Sequence, residues 1–346
     1  MPQQEQRADV SIWWFAFGYF ACYAPYAALT KALTKGLFGG MSKPLDSFAL
    51  LPPAVMASTV GMFTFLTFMG WWKYATHRTI AGFQVPSPTK WTVCSGLCTA
   101  TIVVTTTLAY TFTGVSIVFV MLLMRGGVLV IAPMIDAISG RKVQWYSRAG
   151  LGLSVVALLV ATLDESAPTN SAPAGSNAGL FLVIGLYLLS YFIRLQFMSR
   201  LAKGSDANAN TRYFVEEQMV ATPAALLVLF GLSFVGMDKV SPGLSYGFSA
   251  FWSMEPGWLI GVAILVGILS QGTGVFGGLI LLDKRENTYC VPVNRASSVL
   301  AGVVGSFGLT LFLGQKWPNT SELTGAAFII AAIVVLTLPV LLKKKA

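Results

Sequence analysis

Apolar residues in this chain come in long unbroken runs, and the short polar segments between the runs carry most of the charge. A helix needs about 20 residues to cross the hydrocarbon core of a bilayer. By that ruler ten runs stand out: residues 11–33, 48–70, 91–111, 114–138, 147–163, 178–198, 213–235, 257–282, 288–313 and 323–342. Helices this apolar have no side suited to water, so the pattern predicts membrane spans. Runs three and four are separated only by the residues around Phe112 and Thr113, which makes that pair a tight helical hairpin. The longest connection near the middle, residues 163–177, is rich in Ser, Ala, Pro and Asn and reads as a linker between halves. The chain therefore divides into a first five-helix unit, residues 1–165, a linker, 166–177, and a second unit, 178–346.

The two units resemble each other. FACYAPYAALTKALTKG (residues 20–36) aligns with LLSYFIRLQFMSRLAKG (188–204), placing Tyr23 on Tyr191, Leu33 on Leu201, Lys35 on Lys203 and Gly36 on Gly204. A later anchor sets Arg125 opposite Arg295 and Arg141-Lys142 opposite Gln315-Lys316. Five is an odd number of crossings, so the second unit must enter the bilayer from the opposite side. The expected fold is an all-α integral membrane protein of ten transmembrane helices, built as two inverted five-helix repeats. Basic residues outside the runs concentrate on one side (Arg78, Arg141, Lys142, Arg148, Arg200, Lys203, Lys284, Arg285 and the tail lysines among them). By the positive-inside rule that side, with both termini, is cytosolic. The first loop, with Lys31, Lys35 and Lys43, runs against the trend.

Composition agrees: of 346 residues 55% are hydrophobic and 11% charged, with mean hydropathy +0.69, too much apolar surface for the core of a soluble domain. Net charge +9 does not point to nucleic acid, because no basic stretch is interleaved with aromatics and the cations sit at run ends. The first run is too long for a signal-peptide core and is expected to stay as a span.

Few residues offer chemistry. Cys22, Cys94, Cys98 and Cys290 fall in or beside apolar runs and read as small buried thiols, not metal ligands, and His77, the only histidine, falls in a loop. No metal or cofactor is expected. Gly272, Gly274 and Gly277 have the G-x-G-x-x-G spacing but sit inside an apolar helix, so they, like Gly302, Gly305 and Gly308, are read as helix-packing positions. Glu216 and Glu217 open the seventh run beside the end of the sixth, where Arg194 offers an ion pair across the hairpin. No catalytic set is present and the chain is not expected to be an enzyme. Asn319-Thr320-Ser321 is a glycosylation sequon on an outer loop, and Lys343-Lys344 near the end is read as a cytosolic charge anchor that also resembles a dilysine retrieval signal.

The feature that calls for explanation is Arg125, at the centre of FVMLLMRGGVLVIAPM (residues 119–134). A central arginine costs about 2.5–3.5 kcal/mol on insertion scales, so it must face protein or a polar cavity. Its repeat partner Arg295 lies a third of the way into the ninth run, and neither has an acidic residue within a turn of its own helix. Two guanidinium groups brought to one cavity present planar forks to phosphate or carboxylate. Tyr23 and Tyr191, equivalent in the repeat, and Gln271 and Asn294, polar in apolar runs, are expected to line the same cavity, with Gly126 and Gly127 leaving room for ligand.

Ten spans in two inverted halves, with a polar insert in the fourth and GRKVQWYSRAGLGLSVVALLVA (residues 140–161) after it, resemble the drug/metabolite transporter superfamily of EamA-like proteins. Within it the chain is most similar to the nucleotide-sugar and triose-phosphate transporter branch. The residues that carry this are Arg125, Gly140-Arg141-Lys142, Gln144-Trp145 and Arg295 beside Asn294. The branch more often has Lys at the two matched bases, and Asn294-Arg295 stands where phosphate translocators carry Lys-Arg. The resemblance implies a secondary active transporter, an antiporter exchanging an anionic phosphorylated metabolite such as a nucleotide sugar or sugar phosphate. An exporter of neutral or zwitterionic metabolites or drugs in the same fold, with structural arginines, is the alternative. A non-transporting membrane scaffold with a closed interior is the remote one. Partners are then a small anionic substrate and the lipid bilayer, with a homodimer left open. The membrane is the inner membrane of a bacterium, or an ER/Golgi or plastid-type membrane in a eukaryote.

Overall fold

The computed structural model describes residues 12–41, 43–80, 82–109, 117–162, 174–204, 206, 208–238, 240–314 and 320–343. The chain is helical almost throughout: α1 (Ile12–Thr34), α2 (Ser47–Phe68), α3 (Lys90–Ala109), α4 (Ile117–Ile138), α5 (Trp145–Thr162), α6 (Ala174–Phe197), α7 (Ala209–Leu232), α8 (Val240–Phe248), α9 (Trp258–Leu281), α10 (Asn287–Leu313) and α11 (Thr320–Lys343). Each of the ten apolar runs falls on one of these helices. Among the described residues, α2, α6 with the π-helical turn Met198–Ala202 that extends it, α7, α9 and α10 have both the length and the hydropathy of a membrane crossing. The architecture is that of an all-α, multi-pass membrane protein.

Its polarity is inside out, as a lipid solvent requires. Trp14, Phe17, Phe68, Leu182, Leu227 and Phe312 point outward, while Asp136, Arg194, Lys203, Glu216, Glu217, Asn287 and Asn294 are buried. α1 packs on α9 and α10, α6 on α3 and α4, α2 on α9, α7 on α3, and α5 on α11.

One proline break in this lattice is covered by a glycine. Pro53 inside α2 deprives the Ala49 carbonyl of its helical donor, and that carbonyl faces Gly247 of α8, where a Cβ would come within 2.6 Å. Asp46 starts the same helix, accepting from the Phe48 N–H at 3.2 Å.

One end of the bundle is fastened by carboxylates that cap helices of other elements. Asp136, at the end of α4, accepts from the N–H groups of Asn287 (2.9 Å) and Thr288 (2.6 Å), the first residues of α10. Glu286 takes the Gln144 N–H (3.4 Å) and Ser147 Oγ (2.6 Å) at the start of α5. Glu216 takes the Thr89 N–H (3.1 Å) and Thr92 Oγ1 (2.8 Å) at the start of α3, and both donors of Thr76. Each satisfies orphan N–H groups and places negative charge at a positive helix end. Lys203 and Arg141 close the same end, Nζ donating to the Arg285 carbonyl and Asn287 Oδ1, the guanidinium to the carbonyls of Lys284 and Ser199.

Four details differ from the sequence reading. His77 belongs not to a loop but to a two-stranded hairpin, β1 (His77–Ile80) with β2 (Phe83–Pro86). α6 begins at Ala174, so the last residues of the 166–177 linker are helical. The connection from α7 to α9 holds α8 and a 3-10 turn, Ala250–Ser253. The thiols are not uniformly buried: Cys290 is, Cys22 and Cys98 are half-buried, and Cys94 is exposed on the apolar exterior, where a weakly polar thiol is tolerated. Asn319, Lys344 and most of the linker lie outside the described residues.

Candidate functional site

The two arginines come from α4 and α10, and the aromatic residues around them from α1 and α6. Arg125 Nη2 donates to the Tyr23 hydroxyl at 3.4 Å. Across the site the guanidinium of Arg295 lies over the ring of Tyr191, 5.3 Å from its centroid. Each of these tyrosines pairs with another one turn earlier on its own helix. Tyr19 and Tyr23 stack with centroids 5.5 Å apart and planes 16° apart, and Tyr187 and Tyr191 lie 4.9 Å apart. Tyr19 of α1 and Asn294, the neighbour of Arg295 on α10, both meet Gly277 of α9, which joins the two halves of the site into one group. Two cations and four phenols from four helices thus converge inside an apolar bundle.

Asn294 is buried beside this group. A Cβ on Gly277 of α9 would come within 3.1 Å of Asn294 Nδ2 and 3.0 Å of the Tyr19 ring, so glycine is what lets α9 approach both. Gln271, two turns earlier on α9, is buried against α2, where Ser58 Oγ donates to its Oε1 at 2.5 Å. Five of the six residues expected at the site, Arg125, Arg295, Asn294, Tyr23 and Tyr191, therefore adjoin one another, and the visible bond of the sixth, Gln271, is to Ser58.

The charge of the group is uncompensated among the described residues. The three buried acids nearest in kind are committed elsewhere: Asp136 and Glu216 to helix starts, and Glu217 to Arg194. That last pair is bidentate, Nε to Oε1 at 2.7 Å and Nη2 to Oε2 at 3.0 Å, with Ser95 and Thr99 also donating to Glu217. It is the ion pair the α6–α7 hairpin was expected to make, formed by Glu217 and not Glu216. Arg125 and Arg295 form no salt bridge among the described residues, and Arg295 Nε is buried without a hydrogen-bond acceptor. Both side chains are half-buried, and holding two such charges in the bundle without a countercharge costs free energy that a partner would recover.

Tyr19 and Tyr187 were not singled out from the sequence, although they share the 168-residue offset of Tyr23 and Tyr191. Gly126 and Gly127 do not hold open space for a ligand. A Cβ on Gly127 would fall 2.6 Å from Leu188 of α6, and one on Gly126 would touch Leu158 of α5 at 3.5 Å, so both glycines serve helix contact. In the glycine seam of α10 only Gly305 does so, against the Ala24 carbonyl of α1, while Gly302 and Gly308 face open space. A cavity of about 640 Å³ opens at the other end of the molecule, lined by Lys43, Asp46, Tyr246 and Glu255 among others. It contains none of the six residues.

No protein-family model and no curated protein matches the chain. Among solved structures, a crystal structure of another protein superposes with TM-score 0.58 over 95% of this chain and 98% of its own, at 13% identity. At that identity the likeness is one of fold, and it extends over essentially the whole of both chains.

Proposed function

We propose that this protein is a secondary transporter of the drug/metabolite transporter type that exchanges an anionic, phosphate-bearing metabolite, with Arg125 and Arg295 as the clamp for the anion. The observation that carries the reading is the pair of uncompensated guanidinium groups inside an apolar bundle, held by tyrosines and not by carboxylates. An anion entering between them supplies the missing countercharge in a site of low dielectric, where charge-assisted hydrogen bonds are strongest. Asn294 and the four phenols add neutral donors that can follow the ligand's oxygens. A neutral-substrate exporter in the same fold would leave both charges unanswered, which is why it ranks second.

Transport also requires two halves that can rock about the site. The packing supports the inverted repeat. Exchanging α1 with α6, α2 with α7, α3 with α9, α4 with α10 and α5 with α11 turns the α1–α9 contact into α6–α3, α1–α10 into α6–α4 and α2–α9 into α7–α3, all of which occur. Ten crossings with both termini cytosolic complete the reading.

Counterflow uptake in proteoliposomes, against a panel of nucleotide sugars, sugar phosphates and neutral amino acids, tests it. Anionic substrates should exchange in the parent, and Arg125→Ala or Arg295→Ala should each lower uptake at least 100-fold while leaving insertion intact. Lysine at either position should restore part of it, because charge returns without the planar fork. Parental uptake in both alanine variants would make the arginines structural and hand the site to the neutral-substrate reading.

A further inference from the structure

Gln271 has a hydrogen-bonding group that the fold leaves unused. Its side chain is 6% exposed, its Oε1 is taken by Ser58, and its Nε2 is buried with no partner. An orphaned amide donor in a membrane interior costs as much as a broken hydrogen bond, and no neighbouring helix offers relief. The direction of that donor is the informative part. A Cβ on Gly274 would lie 3.7 Å from Nε2 and within 4 Å of nothing else, so the amide faces an open gap over Gly274.

The gap lies on the side of α9 that meets the neighbours of the arginines. At 100° per residue Gly274 lies on the α9 surface between Gln271 and Gly277, and Gly277 is where α9 meets Asn294 and Tyr19. α1 runs antiparallel beside it, Tyr19 meeting Gly277 and Cys22 meeting Gly272, and Tyr23, stacked 5.5 Å from Tyr19, sets its bond to Arg125 between the levels of Gly277 and Gln271. Six residues of helix separate Gln271 from Gly277, a rise of about 9 Å.

We infer that Gln271, oriented by Ser58, is a second subsite of the transport site and donates to an acceptor at the uncharged end of the substrate. This rests on the anion-exchange reading above and narrows it. The site takes a phosphorylated metabolite whose hydroxyl or carbonyl group reaches about 9 Å along α9 from the Asn294–Arg295 end, the span of a hexose phosphate. Inorganic phosphate and three-carbon phosphates are too short to engage both subsites.

Thermal unfolding of the purified full chain in detergent, with inorganic phosphate, glycerol 3-phosphate or hexose 6-phosphate, separates the two readings. In the parent all three should raise the midpoint, hexose 6-phosphate the most. In Gln271→Leu the hexose phosphate should lose its advantage, its apparent affinity falling about fivefold for one lost neutral hydrogen bond, while the response to inorganic phosphate is kept. Gly274→Leu, which fills the gap and leaves the amide in place behind it, should do the same. Arg295→Ala should lose the response to all three. Without ligand, Gln271→Leu should unfold close to the parent, since the orphaned donor it removes offsets the Ser58 bond lost with it. If Gln271→Leu and Gly274→Leu both keep the parental preference for the longer phosphate, the subsite is overturned and the clamp stands. If no phosphate shifts the parent, the anion reading itself fails and the subsite with it.

Discussion

Arg194 and Arg295 show two ways of keeping a guanidinium inside a membrane protein. Arg194 is neutralised by a bidentate carboxylate that further donors hold in place, whereas Arg295 has a tyrosine ring and an idle Nε. On the proposed reading the first arrangement is stability and the second is stored binding capacity, so their variants should behave oppositely. Arg194→Leu leaves Glu217 charged and unpaired in the interior and should destabilise by about 3–5 kcal/mol. The double variant Arg194→Leu/Glu217→Leu should recover most of that loss, read as the unfolding midpoint in detergent. Arg295→Ala, by contrast, should lose uptake with little loss of midpoint, because no buried partner is stranded. The Arg194–Glu217 pair was legible in the sequence because the two residues flank one short turn. The task of Glu216 was not: its partners Thr76 and Thr89 are 140 and 127 residues away, and apolar runs carry no information on which helices meet. Tyr19 and Tyr187 escaped for a different reason, since a tyrosine in an aromatic-rich run is ordinary until its repeat partner is noticed.

The helices themselves were readable because the bilayer imposes one length on all of them, and each apolar run does lie on a helix. The contacts between helices depend on finer geometry. A three-residue glycine spacing advances 300° per step, so Gly302, Gly305 and Gly308 drift around α10 and only Gly305 meets α1. Two adjacent glycines on α4 make the same point and give a test. Gly127 abuts Leu188, and a side chain there must push α4 from α6, the helices that carry Arg125 and Tyr191. Gly127→Val should cost about 1–3 kcal/mol by overpacking and lower uptake by misplacing the clamp. Gly126→Ala meets only Leu158 at ordinary contact distance and should leave both stability and uptake within error of the parent. Equal effects of the two would mean that the α4–α6 contact does not position the site. The hairpin β1–β2 and α8 were missed because they lie between the runs, where hydropathy has no period to offer.

At the scale of the whole molecule the connections sort into two groups. Lys43, after α1, and Glu255, before α9, line one cavity at one end of the bundle. The β-hairpin base at Thr76, the α4–α5 turn at Arg141, the α6–α7 turn at Lys203 and the α9–α10 turn at Arg285 are tied together, directly or through Glu216, at the other. Ten crossings in two inverted halves require this sorting, because connections after odd-numbered spans must share one side and those after even-numbered spans the other. In the orientation proposed here, which follows the positive-inside rule, the basic residues at the second group of connections face the cytosol. In a background with the native thiols replaced, Lys43→Cys and Glu255→Cys should react with an impermeant maleimide added outside intact cells. Arg78→Cys, on the hairpin, and Arg212→Cys, at the start of α7, should react only after the membrane is opened. α2 alone separates Lys43 from Arg78, so labelling of both from one side would show that α2 does not cross. Labelling of Lys43→Cys and Glu255→Cys from opposite sides would break the parity, and the inverted repeat and the shared clamp between halves would fall with it.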